Sequence, residues 1–479
     1  MTELVGRTLG RLGKRLSGRV STPGDDGYAE AVAIWSKPVG RSPRAIVHCQ
    51  TAEDVEFAIL AARDCGLQLS VRGGGHDWAG RALCNGIVID LSGMRAVTVA
   101  SDGTAQIRGG ARAMDVLAAA HPLGLAAVTG SVGAVGMAGL TLGGGYGPLI
   151  GRFGLALDNL VEAEVVLADG RVVVANDANE ADLFWALRGG GGNFGVVTAM
   201  RCRLHALTSV RTGLLIYPFT EARAILDRCA EIAGSAPEEL TFQVALVAGG
   251  PDGAPVVIIM PTWAGAPQEG ETRFAPFLRL GTPIANTVAA MPYAAALTLY
   301  DPYLVDGQRE LMETCWLPAL DGGSIEAFVR AMETSVSPGC AIVTHEFRGA
   351  ASRVPENATA FGLRRDHVLV EILATFGDRS DGLAEREHRQ WARAVRESFN
   401  AKALPGGYPN LLAGDDDPDR IAHSYGGNAD RLIEAKRRYD PDNVFRSAIP
   451  LPTTPAKAIV SKTKHSRPDV EGPTATVSR

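Results

Sequence analysis

Apolar and polar positions alternate in short blocks through the first two hundred residues. The stretch "RAIVHCQTAEDVEFAILAARDCGLQLSVRGGGH" (44–76) holds two apolar runs, with Val55, Ile59 and Leu60 at helical spacing between them. It predicts strand, helix, strand. Thr51 with Asp54 three residues on resembles a capping box in which Asp replaces Glu, so the helix starts there. "NGIVIDLSGM" and "TAQIRGGAR" predict strands between turns, and "AMDVLAAAHPLG" a helix stopped by Pro122 and Gly124.

From Val210 to about Phe399 the pattern changes. Runs such as "GLLIYPF", "TFQVALVAG", "PVVIIMPTW" and "HVLVEILATF" alternate with the helical "TEARAILDRCAEIAG" and "GLAEREHRQWARAVRESFNA". This predicts an antiparallel sheet covered by helices on one face, hence an α+β chain. "SYGGNADRLIEAKRRYDPDNVF" (424–445) reads as one helix ended at Asp440-Pro441. At the N-terminus Leu9, Leu12 and Leu16 predict a short amphipathic helix packed on the body; without a continuous apolar run it is no secretory signal. The tail from about Lys457 is polar and expected to be disordered. There is no repeat at a fixed period.

Composition narrows the class. At 479 residues the chain is long enough for two or three domains, and 46% hydrophobic with 21% charged residues is globular. A net charge of -6 argues against sequence-independent nucleic-acid binding. No apolar run is long enough to span a bilayer. The seven cysteines are scattered and include no C-x-x-C, which argues against a disulfide framework or a metal site and predicts a reducing, cytoplasmic setting.

Glycine is the informative residue, at 56 positions and clustered. Three loops carry the clusters: "RGGGHDWAG" (72–80), "TGSVGAVGMAGLTLGGGYG" (129–147) and "RGGGGNFGVVT" (188–198). Runs of glycine let backbone N–H groups converge on an anion such as a phosphate. None fits the ATP P-loop or the Rossmann G-x-G-x-x-G between strand and helix. The bland alternative is three connections between short strands; three in one half of a chain argue for walls around one extended cofactor.

These motifs, with "GGGYGPLIGRFGLALDNLVEAEVV", "DLFWALRGGGGNFGVVT" and the C-terminal "SYGGNADRLIEAKRRYDPDNVF", resemble the vanillyl-alcohol-oxidase superfamily with its PCMH-type FAD-binding domain, in the berberine-bridge-enzyme-like branch. The resemblance covers roughly residues 25 to 450. It implies an FAD-binding domain over 1–207, a substrate domain over 208–420, and a segment over 421–455 that returns to the FAD domain, leaving 456–479 as the tail. It also implies that His76 bonds covalently to the 8α carbon of the flavin. The position of the second, cysteinyl bond found in many members falls on Val132, so a single covalent bond is expected, and the open oligosaccharide-sized groove is put in doubt. Val135, where a small residue is associated with oxygen access, leans toward an oxidase. By the same resemblance Arg72, Gly73, Gly74, Gly75, Gly130, Ser131, Val135, Gly136, Gly139, Gly143, Gly145, Asp158, Asn159, Gly192, Asn193, Gly195, Val197, Tyr425 and Asn428, with His76, bind FAD.

Oxidation of an alcohol or amine is eased when a base takes the heteroatom's proton. Glu371 is the only charged residue in "VLVEILATF" and matches the family's inward polar position; the alternative is a strand glutamate facing water. Tyr146 matches an active-site tyrosine, or else packs on the ring. His345 and Glu346 are further possible site walls. Tyr408 and Asn410 are retained from the family's Y-x-N-Y, but Leu411 replaces the tyrosine that often acts as base, and Trp78 stands where many plant members have tyrosine. The resulting expectation is an FAD-dependent oxidase acting on a small or medium organic substrate and dioxygen. The alternatives are a dehydrogenase using another acceptor, or a flavin-binding protein with impaired catalysis. Substrate identity and oligomeric state stay open.

Overall fold

The computed structural model describes residues 2–37, 40–377 and 382–454; the tail expected to be disordered lies outside them. Helix Ala52–Asp64 begins as the sequence requires. Thr51 accepts from the Asp54 backbone N–H while the Asp54 carboxylate accepts from Thr51 N–H, closing the capping box. Such a cap contributes about 1 kcal/mol. Its apolar face (Val55, Ala58, Ile59, Ala62) is buried on a sheet ordered Val20–Ser21, Ala45–His48, Ile87–Asp90, Leu69–Arg72, the last three strands parallel. The N-terminal helix Thr2–Arg15 packs there too: Leu12 and Leu16 are buried in the same cluster, and Arg15 pairs with Glu53 at 2.7 Å.

A second, antiparallel sheet runs Val97–Val99, Thr104–Arg108, Val196–Arg203, Leu160–Val166, Val172–Ala175. The two sheets meet at Gly109 and Gly110, where an added Cβ on Gly110 would stand 1.8 Å from Leu91 O. Backbone passes backbone there, and only glycine allows it.

The second half forms the expected antiparallel sheet. Its nine strands include, as adjacent neighbours, Val256–Trp263, Leu240–Val247, Cys340–Phe347, His367–Phe376 and Arg309–Leu317. Alternation along each strand sends one set of side chains (Val244, Ile342, Val370, Ile372) into a core with helices Ala222–Ser235, Gly322–Glu333 and Leu383–Ser398. The alternate set, which includes Gln243, His345 and Glu371, faces the other way, away from the helices.

Two local expectations change. The nineteen-residue stretch 129–147 is not all loop: Met137–Gly143 is a helix, its apolar Met137 and Leu142 buried in the core. The C-terminal unit is two helices rather than one. Pro418–Tyr425 ends at Gly426, whose φ of 53° breaks the helix, and Ala429–Tyr439 follows. That last helix packs on Ala181–Gly190 of the first half, where Arg431 and Arg438 both reach Asp182 at 3.0 Å.

Candidate active site

The three glycine loops converge on a cavity of about 420 Å³, closed on the opposite side by the helix-free face of the large sheet. The first loop supplies Gly73, Gly74, Gly75 and His76 directly after strand Leu69–Arg72. The second supplies Gly130, Ser131, Val132, Val135, Gly136 and Gly139, and the third Gly192, Gly195 and Val197. Gly74 and Gly136 touch: a Cβ built on Gly74 would lie 2.5 Å from Gly136 Cα. The glycine run therefore lets two loops cross at backbone contact, leaving a wall of peptide groups without side chains.

His76 opens onto this cavity, and its Nε2 is buried with no protein partner. Burial pushes its pKa below the ordinary histidine value, which favours the neutral ring. Trp35 stacks on it, ring centroids 4.3 Å apart and planes within 11°. Trp35 N–H also donates to Gly75 O at 2.9 Å, tying its segment to the loop. Nothing in the local pattern around Trp35 marks it as a site residue.

Eight residues expected to bind cofactor are not on the cavity wall, and each has other work. Arg72 donates to Ala31 O at 2.6 Å and lies 4.0 Å from Asp90. Gly143 and Gly145 leave room for neighbours: a Cβ on Gly143 would meet Asn410 Oδ1 at 2.0 Å, and one on Gly145 the Cβ of Ala156 at 2.4 Å. Asp158 is held by a two-pronged contact from the buried Arg364 at 2.9 and 2.8 Å. Asn159 donates to Phe153 and Leu155 carbonyls and pairs with His205 Nε2. Asn193 donates to Gly190 O and Ile449 O, so it fastens the C-terminal strap, as Tyr425 does through Pro450 O at 2.7 Å. Asn428 donates to Glu356 O and Thr359 O. The strap still reaches the cavity, through Phe445, Ser447, Ala448 and Ile449.

On the sheet side Glu371 lines the cavity with Met312, Leu373, Leu304 and His345, so it is not a strand glutamate turned to water. His345 Nε2 lies 3.2 Å from Glu371 Oε1. Glu346, the other residue read as a possible wall, is not on this cavity: it is buried, its Oε1 has no partner, and burial raises its carboxyl to about 7.

Tyr146 lines the cavity, but its hydroxyl is committed. His367 Nδ1 lies 2.7 Å from Arg365 O, so that nitrogen carries the proton, and Nε2 accepts from Tyr146 O–H at 2.7 Å. Burial drives His367 down to about 3, so it stays neutral. The ring of Tyr146 packs against Tyr408 at 4.7 Å and Phe347 at 5.3 Å. Tyr408 in turn accepts from Gly145 N–H and Asn410 Nδ2, while Leu411 and Trp78 give apolar wall. Arg81, overlooked in the sequence, is also a wall residue and donates to Asn410 O and Leu412 O, binding the first loop to the Tyr408 segment.

Among the described residues no group of side chains is arranged to hold a metal ion, and no helix is long and apolar enough to cross a membrane. All seven cysteines are free and buried, and none lines the cavity.

Residues 43–176 match the family described as "FAD binding domain", and residues 407–452 the family described as "Berberine and berberine like". The FAD-linked oxidoreductase hasG of Aspergillus fumigatus is 30% identical over 466 residues, covering 91% of this chain and 97% of its own. The crystal structure of 6-hydroxy-D-nicotine oxidase from Arthrobacter nicotinovorans superposes with a TM-score of 0.81 at 29% identity, over 90% of this chain and 97% of that one. Glucooligosaccharide oxidase from Acremonium strictum, described with a 6-S-cysteinyl, 8α-N1-histidyl FAD, shares the fold (TM-score 0.77, 24% identity, covering 90% and 97%). A peptide-walled cavity that one buried, unpartnered histidine enters suits a flavin. The chain is an FAD-dependent oxidoreductase and belongs to the berberine-bridge-enzyme-like family.

Proposed function

We propose that this protein is an oxidase carrying FAD bonded covalently to His76 alone. In this reading it removes a hydride and a proton from a small or medium alcohol or amine and passes the two electrons to dioxygen, giving hydrogen peroxide. The observation that carries the reading is the placement of His76 and Glu371 on one cavity, whose other walls are mostly glycine backbone and apolar side chains. Bound there, the flavin supplies the two-electron acceptor and the route of electrons to dioxygen.

The residues divide the rest of the work. The neutral His76 ring, held flat by Trp35, would hold the flavin through its 8α carbon. Val132 lines the cavity at the position of the family's second link and offers no nucleophile, which supports a single bond. Backbone N–H groups of the glycine loops suit the pyrophosphate. Val135, also on the wall, supports oxygen access. Glu371 takes the proton from the substrate's O–H or N–H. Tyr146, its own proton given to His367, offers substrate only an acceptor oxygen and an aromatic wall. Leu304, Met312, Leu373, Leu411 and Trp78 exclude water and favour a compact, partly apolar substrate.

A panel of amines, alcohols and hydroxylated aromatics, followed for oxygen uptake and peroxide release, tests this. Peroxide formed in step with oxygen uptake is expected, and Glu371→Gln should slow turnover on the order of 10²- to 10⁴-fold. Reduction of an artificial dye with no oxygen uptake would make the protein a dehydrogenase.

A further inference from the structure

Gln243 sits on strand Leu240–Val247, directly opposite His345 on strand Cys340–Phe347. Glu371 lies on the next strand, paired with Val343, so that Gln243, His345 and Glu371 run diagonally across three strands of the same face. The Gln243 side chain is buried, and its amide nitrogen makes two short contacts: 2.6 Å to His345 Nδ1 and 3.0 Å to Ser131 Oγ. Ser131 belongs to the second glycine loop. One amide thus joins the sheet that bears Glu371 to the loop beside Val132 and Val135.

The Gln243 amide nitrogen faces the ring, while its Oε1 is buried without a hydrogen-bond partner. With the amide so turned, the ring nitrogen it meets is the acceptor; turned the other way, Oε1 would take a proton from Nδ1. The His345 proton then sits on Nε2, the atom 3.2 Å from Glu371 Oε1. An N–H there faces the carboxylate favourably; a ring lone pair would repel it. We propose that Gln243 is a positioning residue: clamped between Ser131 and His345, it holds His345 in the Nε2–H tautomer and so fixes Glu371 toward the cavity. This rests on Glu371 being the base, but its test does not.

The test is ¹⁵N-histidine NMR of the flavin-loaded protein, with His345→Asn used to assign the signal. In the native protein and in Glu371→Gln, His345 is expected to show an unprotonated Nδ1 and a protonated Nε2. Gln243→Met, similar in shape but without a donor, should lose that single tautomer and give a mixture. Gln243→Glu is nearly isosteric and presents only acceptor oxygens, so it should move a proton onto Nδ1. Melting curves and flavin absorbance of each variant show that the fold is retained. A native His345 protonated on Nδ1, or a pattern unchanged in both Gln243 variants, overturns the proposal. So does loss of the tautomer in Glu371→Gln alone. If the tautomer behaves as expected while Glu371→Gln turns over at the native rate, the assignment of the base fails and that of Gln243 stands.

Discussion

Trp35 lies flat on His76, with ring centroids 4.3 Å apart and planes within 11° of parallel. The stack joins an N-terminal segment of the chain to the loop "RGGGH" and leaves the imidazole few orientations. Trp35→Ala should therefore lower the fraction of protein carrying covalent flavin, while Trp35→Phe retains most of it. In-gel flavin fluorescence after denaturation reads that fraction directly, and equal fluorescence in Trp35→Ala would separate the stack from attachment.

The crossing of Gly74 and Gly136 predicts a steric failure. A methyl group at Gly74 would sit 2.5 Å from Gly136 Cα, and both partners are backbone, so neither can rotate away. Gly74→Ala is expected to cost about 1–3 kcal/mol in stability and to reduce flavin content at purification. Thermal melting and the ratio of flavin to protein absorbance measure the two effects.

Tyr146→Phe should act on stability before it acts on turnover. It removes the donor to His367 Nε2 in a buried aromatic cluster, and a buried acceptor left unpaired costs about 1–3 kcal/mol. The variant is expected to melt lower than the native protein and to keep bound flavin.

Glu346 gives a pH-dependent outcome. Its folded carboxyl is raised to about 7, above the ~4.3 of an exposed glutamate, so between those values the folded state holds the extra proton. The protein then loses stability as pH rises through that window. Glu346→Gln should match the native melting temperature near pH 4.5 and exceed it at pH 7.5 and above. Melting curves across that range check the sign, and a constant gap at every pH would rule out titration of Glu346 as the cause.

What the sequence revealed follows from where the signal lies. The Thr51–Asp54 cap, the alternation in "VLVEILATF" and the glycine clusters are local, and each marked its element. "GGGYG" was legible as a special backbone, but its reason is distant: Gly143 makes room for Asn410, some 270 positions along the chain. The polar groups of Asp158, Asn159, Asn193 and Asn428 were expected to bind the cofactor by resemblance alone, and in the fold they tie segments together. Trp35, Arg81, Gln243 and His367 stayed hidden, because their roles depend on strand register and on stacking between segments far apart in sequence.

The most direct measurement is the mass of one peptide. Trypsin cleavage after Arg72 and Arg81 releases Gly73–Arg81, in which His76 is the only histidine and no cysteine occurs. Digestion of the acid-precipitated protein should give this peptide bearing the mass of FAD, or of FMN after phosphodiesterase cleavage of the pyrophosphate, with fragmentation placing the flavin on His76. An unmodified Gly73–Arg81, with all flavin free in the supernatant, would contradict covalent attachment.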